Sequence, residues 1–355
     1  MSNPTGSVSP FDAKDAPRPD HENDGRPDRS RVRIRQLARL LFGVGLLVAI
    51  VLYVDVQDVW FTLRQADPTF LTVALFLVVP NVWLDAWSWG VVLRPLSGGV
   101  ARSTLVRATL AGYAVGFFTP ARLGEFAGRA LALRHRDMWT VSVTVFAQRL
   151  VDMLVAVTVG LGLMTWARFT GVIGTAWDLA IAVGAGVALL FMAAILWPDA
   201  IDKWARRMLP RAGALHERTS VLHDLENDAK IRLLWGCLTR YIVFAGQMTI
   251  LVKAFDPSAE WSTLVAGSGL MYYFKYLIPS LTLLDVGIRE GAAVLVYGWL
   301  GVAEAAALNA ALTVFVFNIT LPAVVGGAFV RLSSSDSDPD PNAPDRNIQR
   351  KTSPT

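Results

Sequence analysis

Phe117-Phe118-Thr119-Pro120-Ala121-Arg122-Leu123-Gly124-Glu125, running on to Arg129, sets a proline, a glycine and three charged residues inside an otherwise apolar stretch. A second segment of the same kind, Ile278-Pro279-Ser280 followed by Asp285-Val286-Gly287-Ile288-Arg289-Glu290-Gly291, occupies the matching place in the later half of the chain. Charges and helix breakers are costly at membrane depth, and they persist there where protein encloses them around a cavity or pathway. The two segments therefore point to a helical membrane bundle, with a lipid-embedded transport site as the leading reading.

The rest of the chain agrees on class. Of its 355 residues 53% are hydrophobic and 17% charged, and its mean hydropathy is positive. That is too apolar for an ordinary soluble fold, and the apolar runs reach spanning length. The expected fold is all-α, a polytopic integral membrane helical bundle. Residues 1–34 and 332–355 are rich in Asp, Pro, Arg and Ser with little to bury, and both are expected to be disordered tails flanking a membrane domain over 35–331. Cys237 stands alone in an apolar run, which excludes a disulfide framework and a cysteine-based metal site and leaves packing as its role. His21, His135, His216 and His223 all fall in polar segments without ligand spacing. No metal, cofactor or nucleic-acid partner is indicated, and no Walker motif supplies ATP chemistry.

Six full spans are predicted: Leu37–Val54, Thr69–Leu93, Val141–Trp166, Trp177–Trp197, Ile231–Ala254 and Ala305–Val330. Each approaches or exceeds the roughly 20 residues that cross about 30 Å of hydrocarbon. Arg29, Arg31, Arg33 and Arg35 precede the first and Arg39 lies at its start, and it is read as retained and not as a cleaved signal. Basic residues at Arg94, Arg102 and Arg107, at Arg134 and Arg136, across Lys203 to Lys230, and at Arg331 mark cytoplasmic segments. Both termini are then expected in the cytoplasm of a cell whose inner membrane holds the chain. Both flanks of Ala108–Leu133 are basic, so that piece must enter and leave on the cytoplasmic side. A twelve-residue helix rises only about 18 Å, and a re-entrant helical hairpin turning at Pro120 is expected. Leu264–Gly298 enters and leaves on the outer side, as a second hairpin or as two shortened spans.

An internal repeat fits this map. Ser103-Thr104-Leu105-Val106 and Ser262-Thr263-Leu264-Val265 lie 159 positions apart, as do Pro120 and Pro279. Units of about 69–167 and 231–330 would run in opposite directions, an inverted repeat of the kind found in transporters with broken helices. Pro120, Gly124, Pro279 and Gly287 are the expected hinges or helix breaks.

The polar residues inside these segments are the candidates for binding. Arg122, Glu125 and Arg129 follow Pro120 at helical spacing, so Glu125 can pair with either arginine and one positive group is left over. That surplus suits a phosphate or another anion, as would free backbone N–H groups where a helix starts after Pro120. The competing reading makes Arg122 and Arg129 interfacial residues balancing a short cytoplasmic loop. Arg289 and Glu290 are adjacent, so each is expected to find its partner elsewhere in the bundle, as an inter-repeat salt bridge or as a substrate contact. Gln148, Arg149 and Asp152 share a face of one span, Arg240 and Gln247 share a face of another, and Asp85 sits within a third. Arg149 with Asp152, and Asp85, also read as glue between helices. Arg240 has no carboxylate on its own span and is expected to pair with Glu125, Asp152 or Glu290. Lys275, beside Tyr272, Tyr273 and Tyr276, is a headgroup contact or a snorkelling lysine in an aromatic belt.

Thr119-Pro120 with Arg122, Gly124-Glu125 and Arg129, then Arg149 with Asp152, then Pro279-Ser280 with Gly287 and Arg289-Glu290-Gly291 together resemble the lysylphosphatidylglycerol synthase transmembrane region family, also called flippase-like domain proteins. The resemblance covers about residues 35 to 330, with extra residues at Leu281 to Asp285 in the second motif. It implies a membrane region that moves an aminoacylated phospholipid from the inner to the outer leaflet. Members of that kind also carry a cytosolic transferase domain that makes the lipid, which this chain is expected to lack after Arg331. The implied activity is translocation or binding of an anionic phospholipid or a polyprenyl-phosphate-linked lipid, without catalysis, with membrane lipid as partner and an oligomer possible in principle. The substrate-binding set is Arg122, Glu125, Arg129, Arg149, Asp152, Arg240, Arg289 and Glu290. A second class of function is a non-transporting partner that docks a lipid-modifying or glycosyl-transferring enzyme through the basic segment Lys203 to Arg232. An intramembrane enzyme would need a nucleophile, for which Ser280 near Glu290 is the sole candidate.

Overall fold

A computed structural model of the chain describes residues 45–97, 99–119, 122–133, 138–196, 225–278 and 287–335. The described residues form helices and connecting turns without strands: α1 (Gly45–Val54), α2 (Val56–Arg64), α3 (Pro68–Phe76), α4 (Val78–Ser97), α5 (Arg102–Phe117), α6 (Gly124–Ala132), α7 (Met138–Phe169), α8 (Asp178–Leu196), α9 (Asn227–Phe255), α10 (Trp261–Leu277), α11 (Ile288–Trp299), α12 (Glu304–Phe315) and α13 (Leu321–Ser335). Five stretches are long and apolar enough to cross a membrane: Pro68–Leu96, Met138–Phe169, Thr175–Ala193, Asn227–Phe255 and Glu304–Phe329. The α1–α2 pair, bent by 80°, is a sixth if counted as one span. The protein is thus a polytopic helical membrane bundle, and five of the expected spans fall on these helices.

Local chemistry sets the interruptions. Asp67 caps α3 by accepting the Thr69 N–H at 2.7 Å, with Pro68 at the first helical position, where a missing N–H costs nothing. Pro80 lacks an N–H and crowds the carbonyl four residues back, Phe76, and the helix accordingly breaks between α3 and α4 at Leu77. Pro322 acts alike on Asn318: a π-helical turn, Val316–Thr320, joins α12 to α13 and absorbs the lost hydrogen bond. The segment after α1, between the first two expected spans, holds α2. Asp55, at a φ of +79°, turns the chain and caps α2 by accepting the Gln57 N–H at 2.8 Å. Residues 37–44 of the first expected span lie outside the described residues, as do 1–34 and 336–355 of the expected tails, Pro120, Pro279, Ser280, and 203–224 of the basic segment, whereas 332–335, expected to be disordered, continue α13.

Helices α5 and α6 fold back on one another as a hairpin. Gly112 and Gly116 on α5 meet Gly124 and Gly128 on α6, and a Cβ at Gly128 would sit 2.6 Å from the Ala111 carbonyl oxygen. Backbone contact this close requires glycine on both helices. The nine residues of α6 rise only about 14 Å, under half the thickness of the hydrocarbon core. Later in the chain α10 and α11 flank the second broken segment, between α9 and the long α12–α13 helix. The order of a long helix, a medium helix, a short helix after a break, and a long helix therefore occurs twice. The largest apolar cluster lies among α7, α9, α10, α11 and α12. There Tyr273 fills space left by Gly160 and Gly184, whose Cβ atoms would overlap its side chain, and its hydroxyl donates to the Ala180 carbonyl at 2.6 Å.

Candidate functional site

Mid-helix polar residues of α4, α7 and α9 converge with the start of α6. Asp85 on α4 is fully buried. Its carboxylate accepts from Tyr113 at 2.9 Å, from Arg129 at 2.8 Å and from Gln148 at 2.9 Å, and lies 3.3 Å from Arg149 and 3.4 Å from Arg240. Glu125 takes Arg129 at 2.6 Å, a close bond from Arg149, and Arg122 at 3.6 Å. Asp152 takes Arg149 at 3.0 Å and Arg240 at 2.7 Å. Burying so many charges costs less when each is held by several opposite ones and by neutral donors, and this cluster meets that condition. Arg129 lies at its back, fully buried and 4.8 Å from the centroid of the Trp89 ring.

A ladder of amides extends the cluster into the bundle. Arg240 Nε donates to Asn81 at 3.2 Å, Asn81 to Asn318 in the π-turn at 3.0 Å, Asn318 to Gln247 at 2.6 Å, and Gln247 to the Ala74 carbonyl at 2.8 Å. The ladder ties α3, α4, α9 and the π-turn together and fixes the orientation of Arg240.

In front of the cluster lies a cavity of about 250 Å³. Its charged wall is formed by Arg122, Glu125, Arg149, Asp152, Arg240 and Arg289, with Lys275 beside them. Its other wall is aromatic: Phe244 packs on Tyr272 with ring centroids 4.9 Å apart, and Tyr241 meets Tyr272 edge-on at 6.3 Å. The Nε and Nη2 atoms of Arg122, the Nε of Arg289 and the hydroxyls of Tyr241 and Tyr272 are buried without a hydrogen-bond partner. Orphaned donors of this kind are costly in an apolar surround, and their gathering on residues of one cavity makes it the candidate site. Arg122 is also strained, with a φ of +54°, a left-handed conformation that non-glycine residues rarely adopt and that clusters at ligand sites.

Over residues 36–326, which include both broken segments and every residue lining the cavity, the sequence matches the family described as Lysylphosphatidylglycerol synthase TM region. The chain belongs to this family. Among curated proteins none matches it.

Within this family fold the sequence-derived candidates divide into two groups. Arg122, Glu125, Arg149, Asp152, Arg240 and Arg289 come together on one cavity, from α6, α7, α9, α11 and the turn before α6. Arg129 and Glu290 lie behind it, and bond to residues that line it. Gly124 opens α6 and Gly287 precedes α11 with a φ of +92°, so both stand at helix starts; Pro120 and Pro279 are outside the described residues. Arg240 pairs with Asp152, one of its expected partners.

Two expectations need correction. Arg289 and Glu290 were expected to face apart, yet they bond to each other. Glu290 is the third residue of α11 and folds back to accept the Gly287 N–H at 2.7 Å, a capping geometry that brings its second oxygen to its neighbour's guanidinium. The start of α6 was expected to offer free N–H groups. Instead Gly124 N–H donates to the Thr119 hydroxyl at 2.6 Å, while Glu125 and Phe126 N–H donate to the Arg122 and Leu123 carbonyls at 2.9 and 3.3 Å. Side chains, not the helix end, present the donors. Sequence reasoning treated Asp85 as glue and left out Tyr113, Tyr241 and Asn81. A tyrosine or asparagine within an apolar run was the available signal, but it carries no direction.

Proposed function

We propose that this member of the family binds an anionic lipid headgroup, of a phospholipid or a polyprenyl-phosphate-linked lipid, in the central cavity and moves it between leaflets. The observation that carries this reading is that Arg122, Arg289 and Tyr272, each with a buried donor that has no hydrogen-bond partner, line one cavity. Guanidinium and hydroxyl groups placed so are complementary to phosphate oxygens. The cavity lies between residues from both broken segments, as expected of a transporter made of two inverted units over about 69–167 and 231–330, with α5–α6 re-entering from the cytoplasmic side. In this reading the chain is a multi-pass protein of the cell's inner membrane with both termini in the cytoplasm. It performs no chemistry on the lipid, and movement draws on the membrane potential, an ion gradient or the lipid gradient itself.

The test is translocation of a fluorescent anionic phospholipid in proteoliposomes, read by quenching of the outer leaflet. The parent protein is expected to raise the accessible fraction above that of protein-free vesicles, and Arg122→Ala and Arg289→Ala to slow this by about tenfold or more. Equal rates in correctly inserted variants would overturn the assignment.

A further inference from the structure

The cavity is selective in what it leaves unpaired. Its orphaned groups, on Arg122, Arg289, Tyr241 and Tyr272, can all donate a hydrogen bond. Its carboxylates are already occupied by arginine: Glu125 by three, Asp152 by two, and Asp85 behind them by three. Glu290 is taken by Arg289 and by the Gly287 N–H. Among the described residues a ligand amine would therefore have to displace a guanidinium to find a counter-charge, whereas acceptor oxygens meet residues with donors to spare.

Charge points the same way. Among the described residues, the cavity wall and its ion-paired partners hold six cations, Arg122, Arg129, Arg149, Arg240, Lys275 and Arg289, against four carboxylates, Asp85, Glu125, Asp152 and Glu290. Two positive charges remain. Lys275 supplies one, since its Nζ lies 4.2 Å from the Tyr276 ring centroid and has no ion pair among the described residues. A phosphate diester brings one negative charge, a phosphomonoester nearly two near neutral pH.

We propose that the headgroup bound here is a phosphomonoester or diphosphate on a lipid, carrying two negative charges and no amine. This assignment rests on the anionic-lipid reading above. It disfavours the aminoacylated headgroup that the family resemblance implies, because none of the four carboxylates at the cavity among the described residues is free to receive an amine. The aromatic wall of Tyr241, Phe244 and Tyr272 then lies against the first carbons beyond the phosphate.

The experiment is a titration of the purified, detergent-solubilised full chain with lipids of identical acyl chains: phosphatidic acid, phosphatidylglycerol and lysyl-phosphatidylglycerol, with inorganic pyrophosphate as a soluble control. Phosphatidic acid is expected to bind at least about tenfold tighter than phosphatidylglycerol, lysyl-phosphatidylglycerol weakest of the three, and pyrophosphate more weakly than phosphatidic acid. Lys275→Gln, which breaks no ion pair among the described residues, is expected to shrink the preference for phosphatidic acid to about twofold. Arg289→Gln should weaken all binding. Equal binding of phosphatidic acid and phosphatidylglycerol, with both lost in Arg289→Gln, would overturn the two-charge assignment and leave the anionic-lipid reading standing. Tightest binding of the lysyl lipid would overturn the exclusion of amines. Pyrophosphate binding as tightly as phosphatidic acid would identify a soluble anion as the ligand. Affinities unchanged in both variants would overturn this proposal and the anionic-lipid reading together.

Discussion

Asp85→Asn changes one oxygen to an amide nitrogen at a site of zero exposure and tests whether the charged cluster is a single cooperative unit. The carboxylate meets Arg129 at 2.8 Å, Arg149 at 3.3 Å and Arg240 at 3.4 Å, and accepts from Tyr113 and Gln148 at 2.9 Å each. An amide would remove the charge that holds three guanidinium groups and point two donors among existing donors. Loss of one partner from a buried pair costs about 3–5 kcal/mol. At roughly 2–3 °C per kcal/mol for a domain of a few hundred residues, the melting temperature should fall by about 6–15 °C. Arg129→Gln alone should cost a similar amount, since it takes one of three guanidinium partners from both Asp85 and Glu125. The double variant should cost less than the two singles together by about 2 kcal/mol, because both singles lose the same buried Asp85–Arg129 contact. Thermal unfolding of detergent-solubilised protein, followed by fluorescence-detected size exclusion, reads all three. A shift under about 2 °C for Asp85→Asn, or strict additivity in the double variant, would refute the cooperative cluster.

Other consequences follow from packing and from strain. Gly128→Ala places a Cβ 2.6 Å from the Ala111 carbonyl and 2.8 Å from Gly112 Cα, so α5 and α6 must separate at a cost of about 1–3 kcal/mol; Gly162→Ala meets nothing within 4 Å and should raise stability by about 0.5–1 kcal/mol, and the opposite order in a thermal-shift comparison would contradict the packing of the hairpin. Arg122→Gly removes a left-handed arginine and should leave stability within about 1 kcal/mol of the parent while weakening lipid binding; a large destabilisation would mean that Arg122 serves the fold through Glu125 and not a ligand. Asn318→Leu strands the Asn81 amide and the Gln247 carbonyl and should cost about 2–4 kcal/mol, read as a lower melting temperature; no change would show the ladder to be dispensable.

The long helices were legible because an apolar run of spanning length has few other uses. The broken segments were legible for the complementary reason: Pro, Gly and charge within such a run have no inexpensive place facing lipid. Pairings at helical spacing, such as Glu125 with Arg129 and Arg149 with Asp152, could be read from position alone. The hub at Asp85 could not, since its arginine partners come from three other helices and only the packing of those helices sets which way it points. The Arg289–Glu290 pair was misjudged because side-chain geometry in mid-helix was applied to a first turn, where a capping glutamate folds backward. The helix α2 was not legible as a span, since its nine residues fall between two apolar runs and only the cap at Asp55 signals its start. The occupied N–H groups at the start of α6 depend on Thr119 reaching across the turn, which spacing does not reveal.

The most direct test of a lipid headgroup site between the two broken segments is native mass spectrometry of the protein extracted with its own membrane lipids, comparing the parent with Arg122→Ala and Arg289→Ala. A specific anionic lipid retained by the parent and lost from both variants is the expected result, since the two arginines come from different broken segments and face one cavity. The same lipids at the same occupancy in all three proteins would contradict it.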